Sequence, residues 1–341
     1  MIIRILALLF LLTAYYDSYC QVKDYPFSRL DVRDGLADSH VNTIYKDNRG
    51  YLWFGTMSGL NRYDGYSFKV FRHDDADSSS LSDDYIQHIF EGPEDKLYVN
   101  TPAGGISIYD PMTQQFLPHT SGYLQKHGLP RFGLVSIVRE KDSHYYFIYR
   151  DSGIYRFNAD KGATRLRPDI VQTCITNSPV LDVAPDSAQN LWLVRENGML
   201  QKIDLVNNKC SAYDIAQKKV LHGGFGYRLF IDRQDKIWIF VPGNSFGVSE
   251  FDPHTGTLLH FCRDSGQIRL SSNIVSDVAQ DDKGQIWMAT DQGGIVILDK
   301  TTSTVRYLLH SDEERSLPEN TITTLYKDNT GTIWAGTYKN G

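Results

Sequence analysis

Eight side chains in the middle of the chain have the chemistry to hold a polar ligand: Arg131, Phe132, Arg150, Arg195, Tyr227, Arg228, Asn244 and Phe246. Guanidinium groups make charge-assisted, often bidentate hydrogen bonds to carboxylates. Aromatic rings supply the apolar floor that ligand pockets combine with a few polar groups. The set would suit an acidic sugar. Nothing comparable points to catalysis. A zinc-type HExxH, a P-loop and a GxSxG nucleophile elbow are all absent from the sequence. The ten histidines are scattered, most of them near turn signals. Gly223–Gly226 (GGFG) lacks the following helix that a phosphate cradle needs. The acidic run Asp74–Asp84 (DDADSSSLSDD) lacks calcium-loop spacing and its turning glycine, and reads as a solvated loop. No catalytic residue, metal ligand or cofactor site is therefore assigned. Carboxylates gathered from distant parts of the chain remain open as a pair.

The eight residues stand out because they break a repeat. The run Asp47–Asp64, DNRGYLWFGTMSGLNRYD, is a turn, an aromatic strand, a second turn and a second strand, and its opening half recurs six times. The aromatic at Trp53 has equivalents at Tyr98, Tyr146, Trp192, Trp238, Trp287 and Trp334, spaced by 45, 48, 46, 46, 49 and 47 residues. Six residues before each aromatic stand Asp47, Gly92, Glu140, Asp186, Asp232, Asp281 and Asp328. Seventeen before stand Leu36, Leu81, Leu129, Ile175, Leu221, Leu270 and Leu317, apolar in every unit. A period in the forties with strand-like content is the signature of a β-propeller blade.

Each unit supplies four strands. The innermost is short and β-rich, as in Val41–Tyr45, Ile86–Phe90, Leu134–Val138 and Ile322–Tyr326. An Asx turn at the aspartate follows, with a glycine at 50, 284 or 331 free to take positive φ. The aromatic strand comes next (Leu52–Gly55, Ile286–Ala289), then a glycine turn (Ser58–Gly59, Gly104–Gly105, Gly293–Gly294) and a third strand ending at Asp64, Asp110, Asn158, Asp204, Asp252 or Asp299. The fourth is exemplified by Ser67–Phe71 and Val305–Leu309. The large aromatic is expected to fill the wedge between blades, burying about 150–250 Å². The expected architecture is an all-β, seven-bladed propeller of four-stranded antiparallel blades over residues 21–341, its last blade incomplete at the C-terminus. Tyr25–Leu30 reads as an outer fourth strand, and Ile333–Thr337 as the last strand before the chain stops short of a third. That predicts an open edge, and a fragment or a truncated reading frame of a longer protein.

Loops at the start of the inner strand and the end of the aromatic strand share one face and converge on the central channel. Units three to five depart most from the pattern there, which is where the eight candidates lie.

Met1–Cys20 reads as a cleavable export signal: Arg4, an apolar run Ile5–Ala14, and small residues Ser18 and Cys20 before Gln21. Lipidation of Cys20 is disfavoured by Tyr19 beside it. No segment is long and apolar enough to span a bilayer. Removing the leader takes Arg4 and Asp17 together and leaves the net charge at −6, which argues against a nucleic-acid partner. Cys174, Cys210 and Cys262 remain, an odd number without a CxxC. They read as buried thiols within blades, with one bridge plus a free thiol as the alternative.

The run DGLADSHVNTIYKDNRGYLWFGTMSGLNRYDGYSFKVF (Asp34–Phe71), with Leu270–Asp299 and Ser316–Thr337, resembles the two-component regulator propeller repeat. With the export signal, the chain resembles the N-terminal periplasmic sensor region of hybrid two-component systems from Bacteroidetes. The resemblance implies a parent protein in which two such propellers and a small β-sandwich precede a membrane helix, a histidine kinase core, a receiver and a DNA-binding module. It implies recognition of a glycan-derived oligosaccharide, control of polysaccharide-utilisation genes, a homodimer through the full ectodomain, and membrane attachment only through regions outside this chain. The kinase is absent here, so this chain is expected not to be an enzyme. The competing readings are an exported propeller enzyme, a lyase or glycoside hydrolase similar in its blades to streptogramin lyases, and a propeller serving only as an assembly surface.

Overall fold

A computed structural model of the protein describes residues 25, 27–140, 144–166, 178–215, 226–266, 268–312 and 316–341. The export segment Met1–Cys20, Cys174, Ile175, Leu221 and most of the GGFG loop lie outside the described residues.

Antiparallel sheets follow one another along the chain. The first comprises β1 (Val41–Lys46), β2 (Leu52–Thr56), β3 (Gly59–Tyr63) and β4 (Phe68–Phe71). The second has β5 (His88–Glu91), β6 (Leu97–Asn100), β7 (Ile106–Asp110) and β8 (Gln115–Phe116), followed by helix α1 (Thr120–Lys126). The third has β9 (Leu134–Arg139), β10 (Tyr145–Tyr149), β11 (Gly153–Asn158) and β12 (Gly162–Arg165). The fourth has β13 (Val180–Pro185), β14 (Leu191–Arg195), β15 (Met199–Asp204) and β16 (Lys209–Asp214). The fifth has β17 (Arg228–Ile231), β18 (Ile237–Phe240), β19 (Val248–Asp252) and β20 (Thr257–Phe261). The sixth has β21 (Val275–Gln280), β22 (Ile286–Thr290), β23 (Ile295–Asp299) and β24 (Thr304–Leu308). Within each, strands pair in sequence order. A last ladder holds only β25 (Ile322–Lys327) and β26 (Ile333–Thr337).

The sheets form a closed wheel. β1 packs on β5, β5 on β9, β9 on β13, β13 on β17, β21 on β18 and β25, and β25 back on β1. The closing seam is tied by Lys46 to Asp328 at 3.1 Å and by the Thr323 hydroxyl donating to the Val41 carbonyl. This is an all-β propeller of four-stranded antiparallel blades.

The repeat explains its own packing. The five described apolar residues seventeen before the aromatic (Leu36, Leu81, Leu129, Leu270, Leu317) are buried. Trp53 packs among Leu81, Ile86, Ile89 and Leu97 of the next blade, so the aromatic does fill the interblade wedge. Its indole N–H donates to Asp47 at 2.8 Å, and the same carboxylate accepts the N–H groups of Arg49 and Tyr51, which fixes the turn. Gly50, Gly284 and Gly331 take the positive φ expected of them.

Four details differ from the sequence reading. Residues 120–126 form α1, whose Leu124 is buried beside Tyr98 and Phe147. Residues 27–30 belong to no sheet, because the third-strand place between them and β26 is unfilled. Cys210 is disulfide-bonded and Cys262 is free, in line with the alternative of one bridge plus a free thiol rather than with buried thiols throughout. Two histidines are not scattered but equivalent: His73 Nδ1 hydrogen-bonds the Leu81 carbonyl at 2.6 Å and His310 Nδ1 the Leu317 carbonyl at 2.8 Å, each tying a blade's exit to the next blade's entry.

Candidate functional site

Each inner strand contributes one residue, ten before the aromatic, to a ring around the axis: Thr43, His88, Ser136, Asp182, Arg228, Asp277 and Thr324. All seven are polar. Two of them, His88 and Arg228, meet from the second and fifth sheets, which places this register beside the channel.

Arg228 is the centre of this ring. Its Nη2 lies 2.7 Å from Nε2 of His88, from the second sheet to the fifth, so the contact crosses the channel. Guanidinium can only donate, so His88 Nε2 accepts and its ring proton sits on Nδ1. Burial holds the His88 pKa well below its ordinary value, and the Arg228 charge adds to the effect. A neutral imidazole is what the hydrogen bond requires. Arg228 Nη1 also lies 3.9 Å from Asp182, and both side chains retain some accessible surface, 28% and 15%.

The two aspartates join blades. Asp182 Oδ2 accepts the Leu229 N–H at 2.9 Å, and Asp277 Oδ2 accepts the Leu325 N–H at 2.8 Å and the Thr324 hydroxyl at 2.9 Å. Their other oxygens accept the N–H of Val183 and Val278. Burial raises the pKa of Asp182 against the pull of Arg228 and its N–H donors. Burial likewise pushes Asp277 up to about 6 against Leu325, Thr324, Val278 and Arg228. Because the carboxylates are engaged with the backbone, His88 and Arg228 are the ring members best placed to meet a ligand. Among the described residues no group of three or more His, Cys, Asp or Glu is arranged to hold a metal ion.

The eight residues singled out in the sequence do not form one constellation. Arg228 enters the channel. Arg131, bonded to Gln125, and Phe132, 64% exposed, lie on the surface beside Gly133, whose carbonyl accepts the Arg150 N–H at 2.7 Å. Arg150 pairs with Glu196 at 3.2 Å, linking the third and fourth blades. Arg195 donates to Gln201 Oε1 at 2.6 Å and to the Ser178 carbonyl at 2.5 Å, and its pKa is lowered by burial. Asn244 sits in a turn, its N–H on the Val241 carbonyl at 3.1 Å. Tyr227 is buried in the core between the fourth and fifth blades, with Phe246 packed against the same core. The space they line with Ile215 and Ile239 is about 20 Å³, and Phe246 also packs on the His260 ring at 4.8 Å. The sequence reading missed His88, Asp182 and Asp277, although one polar residue at the same register in all seven units is a legible signal. A larger apolar cavity, about 400 Å³, lies away from the channel at the edge of β26.

Residues 35–58, 269–292 and 316–339 match the two component regulator propeller family. A stretch of 62 residues, 18% of this chain, is 42% identical to Histidine kinase P4 of Formosa agariphila and spans 4% of that protein. The fold is similar to the extracellular domain of a hybrid two component system from B. thetaiotaomicron, with a TM-score of 0.72 and 21% identity over 93% of this chain and 41% of that one. A second B. thetaiotaomicron extracellular domain of a hybrid two component system gives 0.66 and 18% over 92% and 39%. The virginiamycin B lyase of Staphylococcus aureus gives 0.59 and 12% over 92% and 96%. This chain thus spans about two fifths of the extracellular domains it resembles and a small part of the matched kinase. Among the described residues no helix is long and apolar enough to cross a membrane.

Proposed function

We propose, from the two-component regulator propeller repeats that this chain carries, that it is the ligand-sensing propeller of a hybrid two-component signal-transduction system. Its blades number seven, with β25 and β26 the inner half of the last. It works in the periplasm after cleavage of the Met1–Cys20 leader, without catalysis, as part of a homodimeric ectodomain. A disulfide at Cys210 fits an oxidising compartment. The ligand is a glycan-derived oligosaccharide, and the output is control of polysaccharide-utilisation genes. The observation that carries this reading is the set of polar residues on the inner strands, in which the Arg228 guanidinium reaches across the channel to His88. Such a ligand signals only if it binds one arrangement of the ectodomain more tightly than another. Isothermal calorimetry of the chain against a panel of neutral and acidic oligosaccharides tests this. Saturable heat with one glycan class, lost in Arg228→Ala, is expected, and no heat across the panel overturns it.

The enzyme alternative keeps one specific support, a histidine bonded to an arginine that also faces Asp182, in the channel of a fold shared with a lyase. Against it stands the use of Asp182 and Asp277 as backbone acceptors. Release of product from a bound oligosaccharide by the wild type but not by His88→Ala would favour it.

A further inference from the structure

Four of the eight pattern-breaking residues are arginines, and three of them are engaged locally. Arg131 donates to Gln125, Arg150 pairs with Glu196 at 3.2 Å, and Arg195 donates to Gln201 and to the Ser178 carbonyl. Arg228 is the one that stands at the channel register. A guanidinium has five N–H donors. Among the described residues its hydrogen-bond partner is His88, while Asp182 at 3.9 Å attracts its charge from beyond hydrogen-bond reach. Asp182 is fixed by the N–H groups of Val183 and Leu229, and Asp277 by those of Val278 and Leu325 together with the Thr324 hydroxyl. Neither carboxylate can swing away without breaking its bonds to the backbone. His88, Asp182, Arg228 and Asp277 are all part-exposed, as are Thr43 and Ser136, which bring hydroxyls to the same register.

We propose that this part of the channel takes an uncharged sugar ring and turns away uronic acids. The inference rests on the oligosaccharide-sensing reading and narrows its ligand. A sugar hydroxyl both donates and accepts. Placed between Arg228 and Asp182, it accepts from the guanidinium and donates to the carboxylate, joining two groups that do not bond each other directly. Hydrogen bonds to charged groups are roughly twice as strong as neutral ones. A uronate carboxylate has no hydrogen to donate. Seated on the Arg228 fork, it would face Asp182 across the same guanidinium, and Asp277 acts on that guanidinium as well. Two fixed carboxylates outnumber one guanidinium, so a third anion meets like charge at every approach. A cationic sugar must approach the guanidinium itself. Setting like charge against the wrong ligand is a source of specificity in its own right. The arginines that suit an acidic sugar in the sequence thus become, in the fold, a single guanidinium among carboxylates.

The test is calorimetry of the full chain with neutral and acidic hexose oligosaccharides. The tightest binder is then converted to its counterpart on the same rings and linkages: a neutral one oxidised from hydroxymethyl to carboxylate, an acidic one reduced the opposite way. The neutral member of the pair is expected to bind roughly tenfold or more tightly than the acidic one. In Asp182→Asn that ratio should fall several-fold towards equality, a change that loosened structure alone does not produce. Asp277→Asn, which keeps its place in the blade as a neutral side chain, should lower the ratio in the same direction. An acidic member that binds as tightly as its neutral counterpart overturns the proposal and leaves oligosaccharide sensing standing. A ratio unchanged in both variants overturns it too. Heat from no member of the panel overturns the sensing reading, and this inference with it.

Discussion

The indole N–H of Trp238 donates to Asp232 at 3.0 Å, while the other oxygen of that carboxylate accepts the N–H groups of Gln234 and Lys236, both at 2.9 Å. The same pairing recurs at Asp186–Trp192, Asp281–Trp287 and Asp328–Trp334, at 3.0, 3.1 and 3.2 Å. One buried carboxylate thus orders a turn and orients the ring that wedges two blades. Where Gly92 or Glu140 stands in place of the aspartate, the aromatic is tyrosine, which has no indole N–H to satisfy. Asp232 carries an added load, the Lys300 ammonium at 3.1 Å, which also reaches Glu250 at 2.8 Å. Asp232→Ala would leave the indole, two backbone donors and part of an ammonium charge without their acceptor. A loss on the order of 3 kcal/mol is expected, because a buried group deprived of its partner costs its full desolvation. Asp232→Asn should recover only part of this, since its one amide oxygen can serve the backbone donors while its NH2 cannot accept from Trp238 or Lys300. Urea midpoints of the two variants check the order.

At the scale of the inner strands, the same register position serves both stability and the channel. Asp277 ties β21 to β25, yet burial pushes its carboxyl up to about 6. An unfolded aspartate titrates near 4. The folded protein therefore holds this proton more tightly, so the group favours folding below about pH 4 and that contribution is lost as pH rises through about 6. Arg228, which lowers the pKa, moderates the effect, and Asp182 faces the same guanidinium. Asp277→Asn, neutral throughout, should gain in urea midpoint relative to the wild type between pH 4 and pH 7. A difference that stays flat across that window would refute the assignment. The strands themselves are legible in the sequence because repetition filters out noise: seven copies fix where apolar, turn and aromatic residues must stand. The channel is less so. Loops that break the pattern draw attention, and Tyr227 shows the hazard, since its departure from the repeat fills a core between blades rather than a binding surface. Helix α1 has no repeat to reveal it, and its short sequence TSGYLQK carries a glycine at its third position. Its anchor is Leu124 against Tyr98 and Phe147, a contact between blades that no local pattern encodes.

For the whole molecule, the wheel is only as stable as its weakest junction. Ile333, Trp334 and Ala335 of β26 are half-buried, whereas their equivalents Ile286, Trp287 and Met288 in β22 are fully buried. With fewer buried apolar residues than β22, β26 and its partner β25 should open locally at lower free energy than the six four-stranded sheets. Tyr25 is the clasp on that junction, with its ring on Trp287 and its hydroxyl bonded to Arg306. Tyr25→Ala removes an edge-on aromatic pair and a hydrogen bond to a charged group, a loss of roughly 2 kcal/mol. That loss should fall on the seam. Native-state hydrogen exchange is expected to show β26 exchanging ahead of β22 in the wild type, and faster still in Tyr25→Ala, while amides of β13 and β17 around Arg228 keep their protection. Acceleration spread evenly over all sheets would mean instead that the ring opens as one cooperative unit, with no seam between its first and last blades.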